Sequence, residues 1–483
     1  MPKQESFRIW NVFQLHFPRL SASNYLKDKP MFRIVVVGAV FYCLSVTAAN
    51  AKEYFVENAY EYSRVSASLK AGDTIILANG EWKDFDLVVT GEGRKEAPIT
   101  ILAQSKGKVL LTGRSSLRIG GRYILVTGLV FRNGYSPRSE VISFRRNKRD
   151  LAAYSRVTEV VIDGFSKPDK QDADYWVGLY GKNNRFDHNH LVGKTNKGVT
   201  LAVRLDSAES RHNNHRIDHN YFGPRPALGT NGGETIRIGT STYSEHVSNT
   251  LVEKNVFDRT DGEIEIISSK SGGNIYRENL FLRAQGALTL RHGDGNLVER
   301  NVFLGHGKAK TGGIRVINRN QIVRENYMEG LRGTGFWGAL TIMNGVPDSP
   351  KNRYVRVENA QIERNTIVDS TRITFGAGAD SERLAPPINS CIVKNLLSGT
   401  GEGTFIEADA DVSGIRFVEN RLLKGSVHSA IVGLHPKAAE LERKANGLLY
   451  PVDERLIQHG APLNLVPTSL ESVGVTWYPK PGP

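Results

Sequence analysis

A short motif recurs along the chain from about residue 187, in which an Asn is followed by one or two apolar or aromatic residues and then by a turn. Its copies begin at Asn189, Asn220, Asn255, Asn279, Asn301, Asn326, Asn365, Asn395 and Asn420, at intervals of 22 to 39 residues. Each interval also contains a run of alternating apolar and polar residues, which is typical of a β-strand with one buried face. The pattern therefore predicts repeated coils of short strands.

This repeat favours an all-β fold, a right-handed single-stranded parallel β-helix, because the period is short, the insertions are irregular and no helical periodicity accompanies it. In such a solenoid the Asn side chains are expected to stack at the turn and bond the backbone of the neighbouring coil. Leucine-rich repeats have similar periods but need a Leu-x-x-Leu-x-Leu pattern, which is missing, and a β-propeller needs longer and more even blades. Earlier strand-like runs, 73–77, 99–102 and 123–127, predict the entry coils.

The same patterning predicts three segments. Residues 52–435 are expected to form the β-helix, and residues 436–483 a short capping helix and tail, because 436–447 is rich in Ala, Glu, Leu and Lys and ends at a Gly. Residues 1–51 are expected to be an N-terminal extension and a secretory signal peptide. Their apolar stretch ends at the small-x-small sequence Ala49-Asn50-Ala51 and is too short to span a membrane.

Composition and charge narrow the expected partners. The formal net charge is +13, and it falls to +9 without residues 1–51, which contain six Lys or Arg and two Asp or Glu. A secreted or periplasmic basic protein attracts anionic polymers, and the sequence has no nucleic-acid-binding motif, so an anionic polymer other than nucleic acid is the expected partner. Only Cys391 would remain after signal cleavage, so no internal disulfide is expected. We expect a monomer without stable membrane insertion.

Charged residues cluster on one predicted face of the coils. In the segment 263–266 the isoleucines are expected inside, with Glu263 and Glu265 side by side on the outer face. Neighbouring coils direct an arginine outward by the same alternation: Arg237, Arg291 and Arg315. Because stacked coils lie about 4.8 Å apart, we expect these side chains to form one charged column. A ladder of salt bridges is the alternative explanation, but exposed ion pairs add little stability.

These segments resemble polysaccharide lyase family six, which comprises alginate lyases and the dermatan-specific chondroitinase B. The matching segments are 231–239, 263–271, 289–293 and 313–315, and in architecture the resemblance extends over about residues 55–480. Ser269 stands where the family pattern leads us to expect Asn.

The resemblance implies roles for several residues. Lys270 corresponds to the family's base and Arg291, 21 positions later, to its acid. Calcium is implied as cofactor, with Asn231, Glu263 and Glu265 as oxygen ligands and Glu234 as a further ligand or a partner of one. A lysine base must be neutral, which a neighbouring calcium ion and arginine favour. Candidates for substrate contact are Arg237, Arg315, His292, Tyr135, Tyr243 and Trp337; His292 and the three aromatic residues could equally be structural.

Three other functions fit parts of this pattern less well. A polygalacturonase-type hydrolase needs paired carboxylates, and the chain has no Asp-Asp dipeptide. A pectate lyase also uses calcium and Arg, but no tight Asp cluster is present. A non-catalytic polysaccharide-binding β-helix needs no base beside a metal. The resemblance therefore implies calcium-assisted β-elimination of a 4-linked uronate polysaccharide, alginate first, giving unsaturated oligosaccharides, with dermatan sulfate as the alternative substrate.

Overall fold

The computed structural model describes residues 51–482, which form a solenoid of short β-strands. The strands assemble into three long sheets whose neighbouring members are almost all parallel. Each turn of the chain adds one strand to each sheet, so the fold is the predicted parallel β-helix. The predicted signal peptide lies outside the described residues. No helix within 51–482 is long and apolar enough to cross a membrane.

Sheet 1 contains 14 strands and continues from the N-terminal end of the described chain to the last full coils. Its strands are Glu53–Val56, Thr74–Leu77, Ile99–Ala103, Ile124–Thr127, Arg156–Thr158, Arg185–Asp187, Arg216–Asp218, Leu251–Glu253, Ile275–Arg277, Leu297–Glu299, Ile322–Arg324, Gln361–Glu363, Ser390–Val393 and Ile415–Val418. The three predicted entry strands are among them.

Sheet 2 contains 15 strands, including one hairpin at its N-terminal end. Its strands are Asp86–Glu92, Ser116–Arg122, Glu140–Ser143, Arg145–Asn147, Asp150–Ala153, Tyr175–Leu179, Leu201–Val203, Ile236–Gly239, Glu265–Lys270, Gly286–His292, Thr311–Val316, Leu340–Met343, Ile373–Ala377, Thr404–Ala408 and Ser426–Val427.

Sheet 3 contains 13 strands and follows directly on sheet 1 in each coil. Its strands are Gly80–Lys83, Val109–Gly113, Leu129–Gly134, Val161–Asp163, His190–Val192, Tyr221–Phe222, Val256–Asp258, Leu280–Leu282, Val302–Leu304, Tyr327–Glu329, Thr366–Ser370, Leu396–Gly399 and Arg421–Lys424. Short 3-10 helices occur in the loops at Ala208–Ser210, Ser241–Tyr243, Gly335–Trp337 and Glu454–Leu456.

The recurring asparagines form the predicted ladder at the turn between sheets 1 and 3. The Oδ1 of each Asn accepts the backbone N–H and the side-chain Nδ2 of the Asn one coil earlier, and the Nδ2···Oδ1 distances are 2.9–3.1 Å from Asn189 to Asn420. The residue before each Asn has a left-handed backbone, with φ between 51° and 56°. This tight turn directs every ladder Asn into the buried interior, where the amide bonds are shielded from water.

Apolar side chains fill the solenoid from end to end. Four phenylalanines on successive sheet 3 strands stack with ring centroids 4.3–5.0 Å apart: Phe222, Phe257, Phe281 and Phe303. The helix Ala59–Ser66 lies at the N-terminal end, where Tyr62 meets Phe85 edge to face at 5.4 Å. Stacking of like residues on like therefore builds one continuous core.

The predicted capping helix at 436–447 is wrong. The strands Leu441–Arg443 and Leu449–Pro451 form an antiparallel hairpin there, and the tail then runs back along the outside of sheet 3. Tyr450 and Leu465 are buried against Val302 and other outward-facing sheet 3 residues. An extended chain buries these side chains against the flat sheet, and this packing outweighs the helical propensity of the segment.

Candidate functional site

A cleft of about 740 Å³ opens over the central strands of sheet 2. Seven of the residues singled out in the sequence line it: Asn231, Glu263, Glu265, Lys270, Arg291, Arg315 and Trp337. They lie on the three neighbouring strands Glu265–Lys270, Gly286–His292 and Thr311–Val316, or in segments that precede a strand of the same sheet, from Ile236–Gly239 to Leu340–Met343. The chain thus gathers residues up to about 100 positions apart in one place by adding coils.

The register within this group differs from the predicted column. Ser268, and not a glutamate, is in register with Arg237 and, through Thr289, with Arg315. An irregularity in the pairing between residues 265 and 267 breaks the strict alternation, so that two successive residues, 266 and 267, both enter the core. Glu265 therefore pairs with Ala287 and is out of register with the predicted arginines.

Three carboxylates meet at one side of the cleft. Oxygen atoms of Glu234, Glu263 and Glu265 all lie within 4.8 Å of one another. Glu263 accepts the backbone N–H groups of Gly232 at 2.7 Å and Gly233 at 3.0 Å. Glu234 is only 1% exposed, and its Oε2 has no hydrogen-bond partner in the described chain. A buried carboxylate oxygen without a partner costs free energy, so the site is incomplete as a purely protein structure.

The electrostatics of this three-carboxylate site favour a bound cation. Burial, followed by the charge of Glu234, raises the pKa of Glu263 to about 7. Ca²⁺ binds oxygen ligands at about 2.3–2.6 Å, and the 4.8 Å separation allows the three oxygens to share one ion. Asn231 lies at the exposed edge of the same cleft, where its amide oxygen is available as a further ligand. The residues present therefore fit calcium.

Two arginines flank the carboxylates. Arg315 is 3% exposed and donates to Glu265, which also accepts the hydroxyl of Ser268. Arg237 does not line the cleft: its Nη1 lies 3.6 Å from Glu234 Oε1, and its Nη2 donates to the Tyr175 hydroxyl at 3.1 Å. Arg315 is thus placed at the cleft itself, whereas Arg237 lies behind the carboxylates.

The predicted base and acid lie at the ends of adjacent strands. Lys270 is half-buried and pairs with His292, so Arg291 lies one residue away on the neighbouring strand. The guanidinium of Arg291 donates to the carbonyls of Asn352 and Arg353 at 3.3 and 2.9 Å. Burial lowers the pKa of Arg291. Arg291 is therefore held from both sides, by the sheet and by the 352–354 loop.

Three of the predicted candidates for substrate contact lie outside this cleft: His292, Tyr243 and Tyr135. His292 is 2% exposed and its Nε2 lies 3.0 Å from Ser241 Oγ; burial, then Arg291 and Lys270, lowers its pKa to about 3. It does not line the cleft. Tyr243 contacts Arg211 and His246 instead of the cleft. Tyr135 also lies outside it, so Trp337 alone among the three aromatic candidates lines this cleft.

Sequence reasoning missed two aromatic residues that line the cleft, Phe336 and Tyr354. The ring of Tyr354 lies 4.1 Å from the guanidinium carbon of Arg291, and Phe336 lies 5.6 Å from that of Arg315. Both fall between Asn326 and Asn365, the longest interval of the repeat at 39 residues. The length of this interval was the signal in the sequence that could have pointed to these two residues, because extra residues in a solenoid form loops over one face.

Comparison with known proteins identifies a family model and solved structures that resemble this chain. The chondroitinase B family model matches residues 56–456. The PL6 family alginate lyase AlyGC is 54% identical with a TM-score of 0.88, over 89% of this chain and 60% of its own length. A mannuronic acid-specific family 6 lyase from the human gut microbiota is 33% identical with a TM-score of 0.73, over 80% of this chain and 91% of its own.

A third structure, the PL6 family lyase Pedsa3628 from Pseudopedobacter saltans, is 25% identical with a TM-score of 0.73, over 88% of this chain and 99% of its own. A search of curated proteins gives no significant match. The chain spans only about 60% of the length of AlyGC. The family model and the 33% identical lyase each match most of the chain, so the chain belongs to polysaccharide lyase family 6, the chondroitinase B family.

Proposed function

We propose that the protein cleaves a 4-linked uronate polysaccharide, alginate first, by calcium-assisted β-elimination. The observation that supports this function best is the shared cleft, in which Lys270 and Arg291 stand beside the three-carboxylate site and Arg315. A binding protein would need positive charge and aromatic surface, but it would not need a lysine and an arginine beside a cation site.

In this proposal Lys270 removes the proton on C5 of the uronate unit that follows the scissile bond. The electron pair of the C5–H bond forms the C4–C5 double bond, and the bond from C4 to the glycosidic oxygen breaks. Arg291 lies beside Lys270 and stabilises the negative charge on the leaving oxygen, which gains a proton from the guanidinium or from water. The products are a shortened chain and an unsaturated oligosaccharide.

The cation site would make the C5 proton acidic enough to remove. Calcium held by Asn231, Glu234, Glu263 and Glu265 would supply a Lewis acid for the uronate carboxylate. The guanidinium of Arg315 would donate two hydrogen bonds to a substrate carboxylate. For this, part of its hydrogen bonding to Glu265 would be replaced by hydrogen bonding to the substrate. Trp337 offers an aromatic surface for a sugar ring.

Alginate is placed first because AlyGC is an alginate lyase and the lyase from the gut microbiota is specific for mannuronic acid. Dermatan sulfate remains the alternative substrate, since the matching family model is that of chondroitinase B. Incubation of the protein with mannuronate blocks, guluronate blocks and dermatan sulfate, followed by ultraviolet absorbance of the new double bond, distinguishes them. Failure to form unsaturated product from any of the three would contradict lyase activity.

Calcium dependence is the first prediction. Excess chelator should abolish formation of the unsaturated product, and added calcium should restore it, because the three-carboxylate site then regains its charge balance. Glu263→Gln should need much more calcium for the same rate, whereas Glu253→Gln, on sheet 1, should behave as the native protein. Full turnover in excess chelator, with metal analysis confirming a metal-free protein, would refute the role of calcium.

A further inference from the structure

Arg225 lies buried beneath the cleft, 4% exposed, in a position that no family motif singled out. Its guanidinium makes four hydrogen bonds within the described chain: to Thr200 Oγ1 at 3.2 Å and to the carbonyls of Glu234, Asn196 and Gly198 at 3.0, 3.1 and 2.9 Å. None of these four acceptors is a carboxylate. Burial of a charged side chain costs free energy unless hydrogen bonds compensate for it. Here the compensation comes mainly from three backbone carbonyls, so the guanidinium and these backbone segments fix one another in position.

The backbone of Arg225 also fixes the second acidic segment. Its N–H donates to the carbonyl of Arg259 at 3.1 Å, and its own carbonyl accepts the N–H of Asp261 at 3.0 Å. Asp261 is two residues before Glu263, whereas the side chain of Arg225 grips the carbonyl of Glu234. One residue therefore joins the two segments that contribute carboxylates to the site.

The two segments touch without side chains between them, directly above Arg225. A Cβ atom on Gly262 would lie 2.1 Å from the carbonyl oxygen of Gly233 and 3.0 Å from Cδ and Nε of Arg225. A Cβ atom on Gly233 would lie 2.4 Å from the carbonyl oxygen of Gly262. The distance between the two acidic segments is thus set by direct backbone contact between Gly233 and Gly262, and the side chain of Arg225 packs against Gly262.

We infer that Arg225 is a positioning residue for the three-carboxylate site, holding Glu234 and Glu263 at the spacing that one divalent cation requires. The inference rests on the proposed calcium dependence. Arg225 does not touch the ion, the substrate or the reacting atoms. It acts by fixing the backbone from which two of the ligands extend, as the partners behind metal ligands do in other metal sites.

The test compares Arg225→Lys with a matched variant, Arg185→Lys. Lysine keeps the charge but not the planar fork that reaches four acceptors. Arg185 also donates two bonds, to Asp218 at 2.8 and 2.6 Å, but on sheet 1. Calorimetric titration of calcium into chelator-treated protein should show a Kd raised about 10- to 100-fold in Arg225→Lys and unchanged in Arg185→Lys. Turnover by Arg225→Lys at saturating calcium should return close to the native kcat.

The outcomes separate this inference from the proposed function. A native protein that binds calcium, with an unchanged Kd in Arg225→Lys, overturns the inference alone. A native protein that binds no calcium overturns both. If Arg225→Lys does not fold, Thr200→Val decides, because it removes one acceptor at nearly constant volume: weaker calcium binding supports the inference, and native affinity overturns it.

Discussion

Lys270 and Arg291 lie side by side, yet their chemistry is not interchangeable. A guanidinium is already protonated at ordinary pH and cannot act as a base, whereas a lysine side chain can act as a base when its surroundings disfavour the ammonium charge. Arg291 is tied to the loop carbonyls and stacked on Tyr354, so it is held in place as a fixed positive group. In the reaction proposed above, Lys270 is therefore assigned the role of proton acceptor.

The prediction for Lys270 separates a lyase from a binding protein. Lys270→Ala removes the proton acceptor, so turnover on alginate should fall by at least about 10²-fold, while polymer binding, measured by calorimetry, is largely kept. Lys270→Arg should be no more active. If either variant degrades alginate and dermatan sulfate at the native rate, the base lies elsewhere.

Tyr354 should matter for the position of Arg291. Tyr354→Ala removes the ring 4.1 Å from the guanidinium, and such a contact contributes about 0.5–2 kcal/mol, which corresponds to roughly 2- to 30-fold in kcat if it serves the reacting geometry. Tyr354→Phe keeps the ring and is the matched control, with a kcat expected near the native value. Equal losses in both variants would assign the effect to the hydroxyl group instead.

At this scale the sequence predicted which residue types meet but not their register. Glu263, Glu265, Lys270 and Arg315 line one cleft as expected, because strand adjacency follows from the repeat. The register of Glu265 could not be predicted, since it depends on a local irregularity that places two successive isoleucines in the core. Tyr354 was missed because loop conformation leaves no periodic pattern.

The asparagine ladder is the element that the sequence predicted most completely, because its bonds depend on one residue type at one position of each coil. Its interior members are fully bonded: Asn301 accepts from Asn279 and donates to Asn326 and to the carbonyls of Tyr276 and Glu299. Each lost bond would leave a buried group without a partner.

We therefore expect Asn301→Ala to lower the free energy of unfolding by at least about 2 kcal/mol. Asn420 ends the ladder and is more exposed, at 9%, so Asn420→Ala should cost less. Chemical denaturation followed by circular dichroism measures both. Equal losses at the two positions would show that the ladder bonds act independently of their place in the stack.

The hairpin at 441–451 shows where local sequence fails as a predictor. Residues 436–447 have the composition of a helix, but Leu448 and Tyr450 are almost fully buried on the outside of sheet 3. The N–H of Leu449 also donates to the hydroxyl of Tyr327 at 2.9 Å. A helix would not present this row of side chains and donors to the sheet, so the long-range contact decides the conformation.

At the scale of the whole molecule, the C-terminal tail covers an apolar face of the solenoid. Tyr221, Val256, Leu280, Val302, Tyr327 and Val368 face outward from sheet 3 and are buried beneath it. Without the tail they would form an exposed apolar patch, which favours association between molecules.

Truncation should reveal that patch. A chain ending at residue 435 should unfold at a lower temperature than the full chain and should bind a hydrophobic dye, because the outward-facing side chains become exposed. A chain ending at residue 480 keeps all the packed tail residues and serves as the control. Dye binding equal to that of the control would contradict a covering role for the tail.

The path of the tail has a consequence for how the solenoid comes apart. In a stacked repeat each coil contacts only its neighbours, so the ends can fray while the middle stays folded. Here the N–H of Gly460 donates to the carbonyl of Lys394, and the N–H of Gly474 donates to that of His219, near the middle of the solenoid. The extended tail thus contacts both the C-terminal coils and the central coils. The C-terminal coils cannot unfold alone without also breaking contacts between the tail and the centre of the solenoid. We therefore expect the tail to make unfolding of the coils more cooperative than stacking of neighbouring coils alone would.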